Sequence, residues 1–121
     1  MTAGTRPTAQ HPITITLHPR PVTVRINGRV VAHSEQALEL RESTYRPVFY
    51  IPRADVEMAL FSPSAHHSHC PYKGDASYYS FTLGEDVRKD VAWSYETPFE
   101  WMPEITGHLA FYPDRVDSIE G

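Results

Sequence analysis

A small, mainly β domain of antiparallel strands with one or two short helices is the fold this sequence predicts, and three observations carry it. Several short segments alternate apolar and polar residues at the two-residue period of a half-buried strand. Eleven prolines and six glycines punctuate the chain into pieces too short for long helices. Asn27-Gly28 stands between two alternating segments, the strongest short hairpin signal, because both residues accept positive φ.

The elements follow in order. Residues 1–12, with Gly4, Pro7 and Pro12, read as a flexible N-terminal arm, and residues 13–121 as a single β domain of ordinary size. Ile13–Leu17 alternates cleanly, and so does Val22–Ile26, which runs through Asn27-Gly28 into a returning strand over Arg29–His33. Leu38 and Leu40 alternate with Glu39 and Arg41. Val48–Ile51, bounded by Pro47 and Pro52, fits an edge or terminal strand. After Pro52 the spacing of Val56, Ala59 and Leu60 changes to that of a helix over 53–60, stopped at Ser62-Pro63. His66–Asp75 has no period and reads as a loop. A strand through Tyr79, Phe81 and Leu83 turns at Gly84–Asp86, and Val91, Trp93 and Tyr95 lie on its partner. One helical turn is expected within 98–107, and Leu109–Tyr112 reads as the final strand before Pro113-Asp114.

A formal net charge of −4 argues against a nucleic-acid binder, which needs a basic surface for phosphate contacts. No cluster of cations marks a membrane surface patch, and no apolar run approaches the roughly 20 residues of a membrane helix. The polar first residues lack the apolar centre of a signal peptide, and one cysteine permits no intrachain disulfide. The expectation is a cytoplasmic protein.

The chemistry-bearing residues concentrate in one stretch. His66, His67 and His69 precede the only cysteine, Cys70, and imidazole with thiolate is zinc's preferred ligand set. A structural zinc wants four ligands, usually from separated pairs. Neighbours in sequence cannot all face one ion, and adding a distant His33 or His108 has no motive, so no metal site is assigned. Two readings of Cys70 stand. It is either a catalytic nucleophile, with His67 or His69 as base, or an inert core filler, as most lone cysteines are. Lys73-Gly74-Asp75 suits either an anion site, with Gly74 admitting close backbone approach, or a turn in which Lys73 pairs with a carboxylate. It is not a phosphate loop, since the Gly-x-x-x-x-Gly-Lys pattern is missing. With a strand beginning at Lys73, residues Lys73, Asp75, Ser77 and Tyr79 would share one face. Arg53 and Glu57 read as a surface pair, and Trp93 reads more readily as core than as pocket wall.

Several segments carry a family likeness: Pro47–Arg53 with Asp55-Val56, Cys70–Tyr78 (Cys-Pro-Tyr-Lys-Gly-Asp-Ala-Ser-Tyr), Ala92–Tyr95 and Ala110–Pro113. In them the chain resembles the family of domain of unknown function 427, also labelled nucleotidyltransferase-like, over roughly residues 20–115. The resemblance implies a β-tent domain, the architecture shared with methionine sulfoxide reductase B. The zinc that such domains often hold on two Cys-x-x-Cys pairs does not carry over to a chain with one cysteine. Nor do the residues support the transferase label. Its chemistry needs carboxylates holding Mg²⁺ beside a phosphate turn, and the close acidic pairs Asp55/Glu57, Glu85/Asp86 and Glu39/Glu42 are as well explained as surface.

The functional expectation is a small-molecule or anion pocket around Cys70–Asp75. Lys73, Asp75, His69, Tyr78, Trp93 and Tyr95 would be its ligand-binding residues, and no cofactor is identified. The alternatives are a non-catalytic structural or assembly module in which the loop is a plug, and a thiol-dependent enzyme using Cys70. A homodimer through the Val48–Ile51 edge is a further expectation.

Overall fold

The computed structural model describes residues 4–121. Ten strands follow one another: β1 Ile13–Leu17, β2 Val22–Ile26, β3 Arg29–Ser34, β4 Leu38–Glu42, β5 Val48–Tyr50, β6 Phe61–Cys70, β7 Gly74–Leu83, β8 Asp86–Ser94, β9 Leu109–Phe111 and β10 Ser118–Glu120. Helical structure among the described residues is limited to 3-10 turns at Arg53–Asp55, Met58–Leu60 and Pro103–Ile105. No described helix is long and apolar enough to cross a membrane.

The strands form three antiparallel sheets, ordered β1-β4-β5, β10-β2-β3 and β6-β7-β8-β9. The β2–β3 hairpin turns at Asn27 and Gly28 with φ of +54° and +75°, the paired positive values of a tight hairpin turn. Val22, Val24 and Ile26 are fully buried, while Thr23 and Arg25 between them face outward to partners on β3 and β10. One isolated bridge adds Val56 to the β3 edge at Ala32, and another ties Ile51, just past β5, to Leu109 of β9. The second means that Val48–Ile51 is only partly an edge, because the Ile51 backbone N–H and C=O are both bonded to Leu109.

Two apolar clusters result. The larger gathers Val22, Val24, Ile26, Phe61, Phe81, Val91 and Phe111; the smaller gathers Leu40, Tyr50, Ala76, Tyr78, Tyr95 and Ile105. Neighbours Tyr78 and Tyr79 of β7 point to opposite clusters, as strand alternation requires. Burying one side chain the size of Phe81 contributes roughly 1.5–3 kcal/mol, so both faces of this sheet matter to stability.

Four expectations need correction. The helix over 53–60 is absent: Val56 is extended (φ −112°, ψ 138°), pairs with Ala32, and the Glu57 N–H bonds Val31 C=O. The free edge of β3 takes the backbone groups of this segment in extended pairing instead. The register of β2 and β3 slips between Val24 and Arg25, leaving Val31 as an extra, buried residue whose carbonyl takes that bond. Secondly, His66–Asp75 is no loop but the end of β6, the turn 71–73 and the start of β7. As an outermost strand, exposed along most of its length, β6 buries no face and so shows no apolar period. Pro63 lies inside it, as an edge strand tolerates. Thirdly, Leu109–Phe111 is not the last strand, because β10 adds to β2. Lastly, Lys73 and Asp75 do not share a face. Gly74 stands between them at φ +118° and breaks the alternation.

Residues 4–12 form no strand, yet they lie against the domain. The Thr5 N–H bonds Pro71 C=O at 2.7 Å, Arg6 sits over the Trp101 ring, and His11 stacks on Tyr72 with ring centroids 4.1 Å apart. Residues 1–3 of the arm read from the sequence lie outside the described residues.

Candidate functional site

Sheet β1-β4-β5 and one face of β7-β8-β9 do not close fully on each other, and a cavity of about 250 Å³ remains between them. Leu40, Glu42, Val48 and Tyr50 come from the first sheet, Tyr45 and Arg46 from the β4–β5 connection. Tyr78, Trp93, Tyr95 and Tyr112 come from the second sheet and its strand ends, and Lys73 from the turn before β7. Five tyrosines and a tryptophan therefore wall a space at whose rim three charged groups sit.

Those groups are unequal. Lys73, with its side chain 10 % exposed, donates to Glu42, 13 % exposed. Glu42 also shares a 2.7 Å hydrogen bond with His11 Nε2 from the N-terminal segment. Burial pushes the Glu42 carboxyl up, but the hydrogen bonds and charges of Lys73 and His11 more than offset it and hold the group below the usual carboxylate range. Lys73 is thus spent on a partner. Arg46, by contrast, is exposed and makes no ion pair or side-chain hydrogen bond among the described residues.

The phenols sort in the same way. Tyr50 accepts from Trp93 Nε1 at 3.3 Å. Tyr112 donates to the Tyr78 hydroxyl, which also bonds Ser68 Oγ at 2.8 Å. Tyr95 is 6 % exposed, yet its hydroxyl has no hydrogen-bond partner among the described residues. Burial raises Tyr50, Tyr95 and Tyr112 well above the ordinary phenol value, so each stays a neutral hydroxyl able to donate. An unpartnered donor and a free guanidinium beside an aromatic-walled cavity can bind an acceptor-bearing molecule, an anion best of all.

Of the residues expected to bind ligand, Lys73, Tyr78, Trp93 and Tyr95 meet at this cavity. Trp93 is pocket wall as much as core. Asp75 and His69 are not there: they face each other across the β6–β7 ladder, His69 Nδ1 2.7 Å from Asp75 Oδ1, with Asp75 83 % exposed. Cys70 is half-buried against the smaller cluster, and no histidine nitrogen among the described residues hydrogen-bonds it. The described residues contain no group of three or more His, Cys, Asp or Glu arranged for a metal ion; His33 and His108 bond Thr23 and the Thr106 carbonyl instead. Asp55, Glu57 and Glu39 are each taken by a partner: Ser34, Arg29, and His18 with Arg41.

Sequence reasoning missed Glu42, Tyr45, Arg46, Tyr50 and Tyr112. The spacing of Leu38, Leu40 and Glu42 at every second residue does place Glu42 on the inward face of β4, the one signal that could have found it. Tyr45-Arg46, in an aperiodic connection, carries none.

A model of the family described as domain of unknown function (DUF427) matches residues 14–121. The chain belongs to the DUF427 family. No curated protein matches it. The DUF427 match spans every cavity-lining residue, whereas His11, the second partner of Glu42, lies just ahead of it.

Proposed function

We propose that this DUF427 domain is a small-molecule-binding module whose site is the tyrosine-walled cavity and whose ligand carries an anionic or strongly accepting group. The observation that carries this is Tyr95, buried, lining the cavity, and with its hydroxyl unpartnered. Its oxygen is not sealed from solvent, so the hydroxyl opens on the cavity as a donor that a ligand acceptor can take in place of water. Arg46 supports an anion, since it is the charged group at the rim with no counter-ion among the described residues. A volume of about 250 Å³ falls below the ~300–1,000 Å³ of drug-sized pockets, which points to a molecule of about one ring.

The Cys70–Asp75 segment then plays a structural part, in which Lys73 anchors Glu42 and Asp75 stays outside. Thiol catalysis has less support, because Cys70 lacks a base in contact. A homodimer through Val48–Ile51 likewise has less support, because Ile51 is already bonded to Leu109. The remaining parts of the proposal are a cytoplasmic protein bound neither to nucleic acid nor to membrane, which the net charge of −4 favours, and a β-tent arrangement of the sheets.

Calorimetric titration with benzoate tests the site, with benzyl alcohol as the uncharged control. Benzoate should bind the wild type and lose about tenfold or more in affinity in Tyr95→Phe and in Arg46→Gln, the scale of one charge-assisted hydrogen bond. Benzoate that fails to bind, or binds both variants as it binds wild type, rules the site out.

A further inference from the structure

Behind the tyrosine cavity lies a second one, larger and different in character. It measures about 420 Å³ and is walled by Pro47, Phe49, Phe111, Pro113 and Ile119, with Val24 and Ile51 of the main core at its floor. Its one charged lining residue is Arg46. Arg46, Val48 and Trp93 line both cavities, so the two adjoin at these residues, and the unpaired guanidinium stands at the edge of each. A polar, donor-bearing chamber joined through a cation to an apolar chamber has the polarity of an amphiphile with an acidic head.

We propose that the two cavities are subsites of one site, and that its ligand is a small carboxylic acid with a hydrocarbon tail. The carboxylate is held at Arg46 and the Tyr95 hydroxyl, and the tail passes Val48 and Trp93 into the Phe49–Phe111–Ile119 chamber. Three features select this occupant. The tail chamber is walled mostly by carbon, so a polar or charged extension would lose more water than it gains in partners. The one cation at the junction complements one anionic group. Val24 and Ile51 at the floor are almost fully buried, which makes the chamber a recess in the core, deeper than the flat face that a second protein would cover. The inference rests on the proposed site for its head group and extends it by a tail.

The test is a calorimetric titration of the full chain with butanoate, hexanoate, octanoate and decanoate, beside the matching alcohols. Each buried methylene is worth about 0.8 kcal/mol, so Kd should fall about fourfold per added carbon until the chamber is full. Arg46→Gln should weaken every acid about tenfold while leaving the increment per carbon unchanged. Ile119→Phe and Phe49→Trp fill the chamber from two sides, each checked for folding by its thermal transition. Whichever folds should flatten the chain-length series and leave benzoate binding as in wild type. A flat series in the wild type with benzoate still bound overturns the tail subsite alone. Absence of benzoate binding removes the underlying site and this extension together. A dimer in sedimentation velocity that Ile119→Arg dissociates would give the chamber to a second copy of the chain and overturn the proposal.

Discussion

Truncating Lys73 puts the architecture of the site under the most direct stress. In Lys73→Ala the Glu42 carboxylate, 13 % exposed, keeps only His11 Nε2 as partner. Removing one member of a fully buried ion pair costs about 3–5 kcal/mol, because the other charge is left uncompensated. Here His11 remains and some water reaches Glu42, so the expected loss is about 2–3 kcal/mol, below that range. For a domain of this size that corresponds to a fall in Tm of roughly 8–12 °C. Urea denaturation at pH 7, with a thermal scan beside it, reads the change. The pH dependence has a definite sign. Glu42 is held below its usual range in the folded protein, so its contribution is present above the unfolded carboxylate value near about 4.3. It is lost as pH falls through the lower folded value. Without Lys73 the folded value rises towards the unfolded one, so Glu42 contributes less acid-induced loss of stability, and the gap between Lys73→Ala and the wild type narrows as pH falls. Replacing both groups, as Lys73→Met with Glu42→Leu, should recover part of the loss, since no buried charge is then left alone. A cost for Lys73→Ala below about 0.5 kcal/mol, the scale of an exposed pair, would refute the placement of Lys73 in a buried structural contact.

Three other outcomes follow from the same geometry. Gly74→Ala forces a Cβ onto a residue at φ +118°, within 3.5 Å of the Pro98–Phe99 backbone. It should cost about 1–3 kcal/mol in chemical denaturation. Asp75→Ala, at a side chain 83 % exposed, should change stability by no more than about 0.5 kcal/mol and leave benzoate affinity unaltered; a tenfold loss would return Asp75 to the site. Cys70→Ala should cost about 1 kcal/mol from lost packing and keep benzoate binding, whereas abolished binding would restore a role for the thiol in the ligand site.

Legibility tracked burial. Where one face of a strand is buried, as in Val22–Ile26, the apolar alternation is plain and the strand bounds are right to the residue. Where no face is buried, as along Ser62–His69, a ten-residue strand looks like a loop rich in metal-binding side chains. Val56 misled in the opposite sense, since its spacing to Ala59 and Leu60 mimics a helix although its burial comes from pairing with Ala32. The site was half legible for a related reason. Tyr78, Trp93 and Tyr95 lie on alternating strands, and Lys73 belongs to the family's most distinctive segment. Asp75 was placed beside Lys73 because regular alternation was carried through Gly74, where the positive φ inverts it. The period of β4 encodes the inward face of Glu42 but not its pairing with Lys73, and Tyr45 and Arg46 reach the cavity only because β4 and β5 fold against β7–β9, a long-range fact that no local period encodes.

The measurement that tests the central claim most directly is an amide ¹H–¹⁵N correlation spectrum of the protein titrated with benzoate. The tyrosine cavity as binding site predicts shifts concentrated at Arg46, Val48, Trp93 and Tyr95, with His67, His69 and Asp75 on the outer strand pair unmoved. Shifts centred on His67–Asp75, with Arg46 and Tyr95 unmoved, would contradict it.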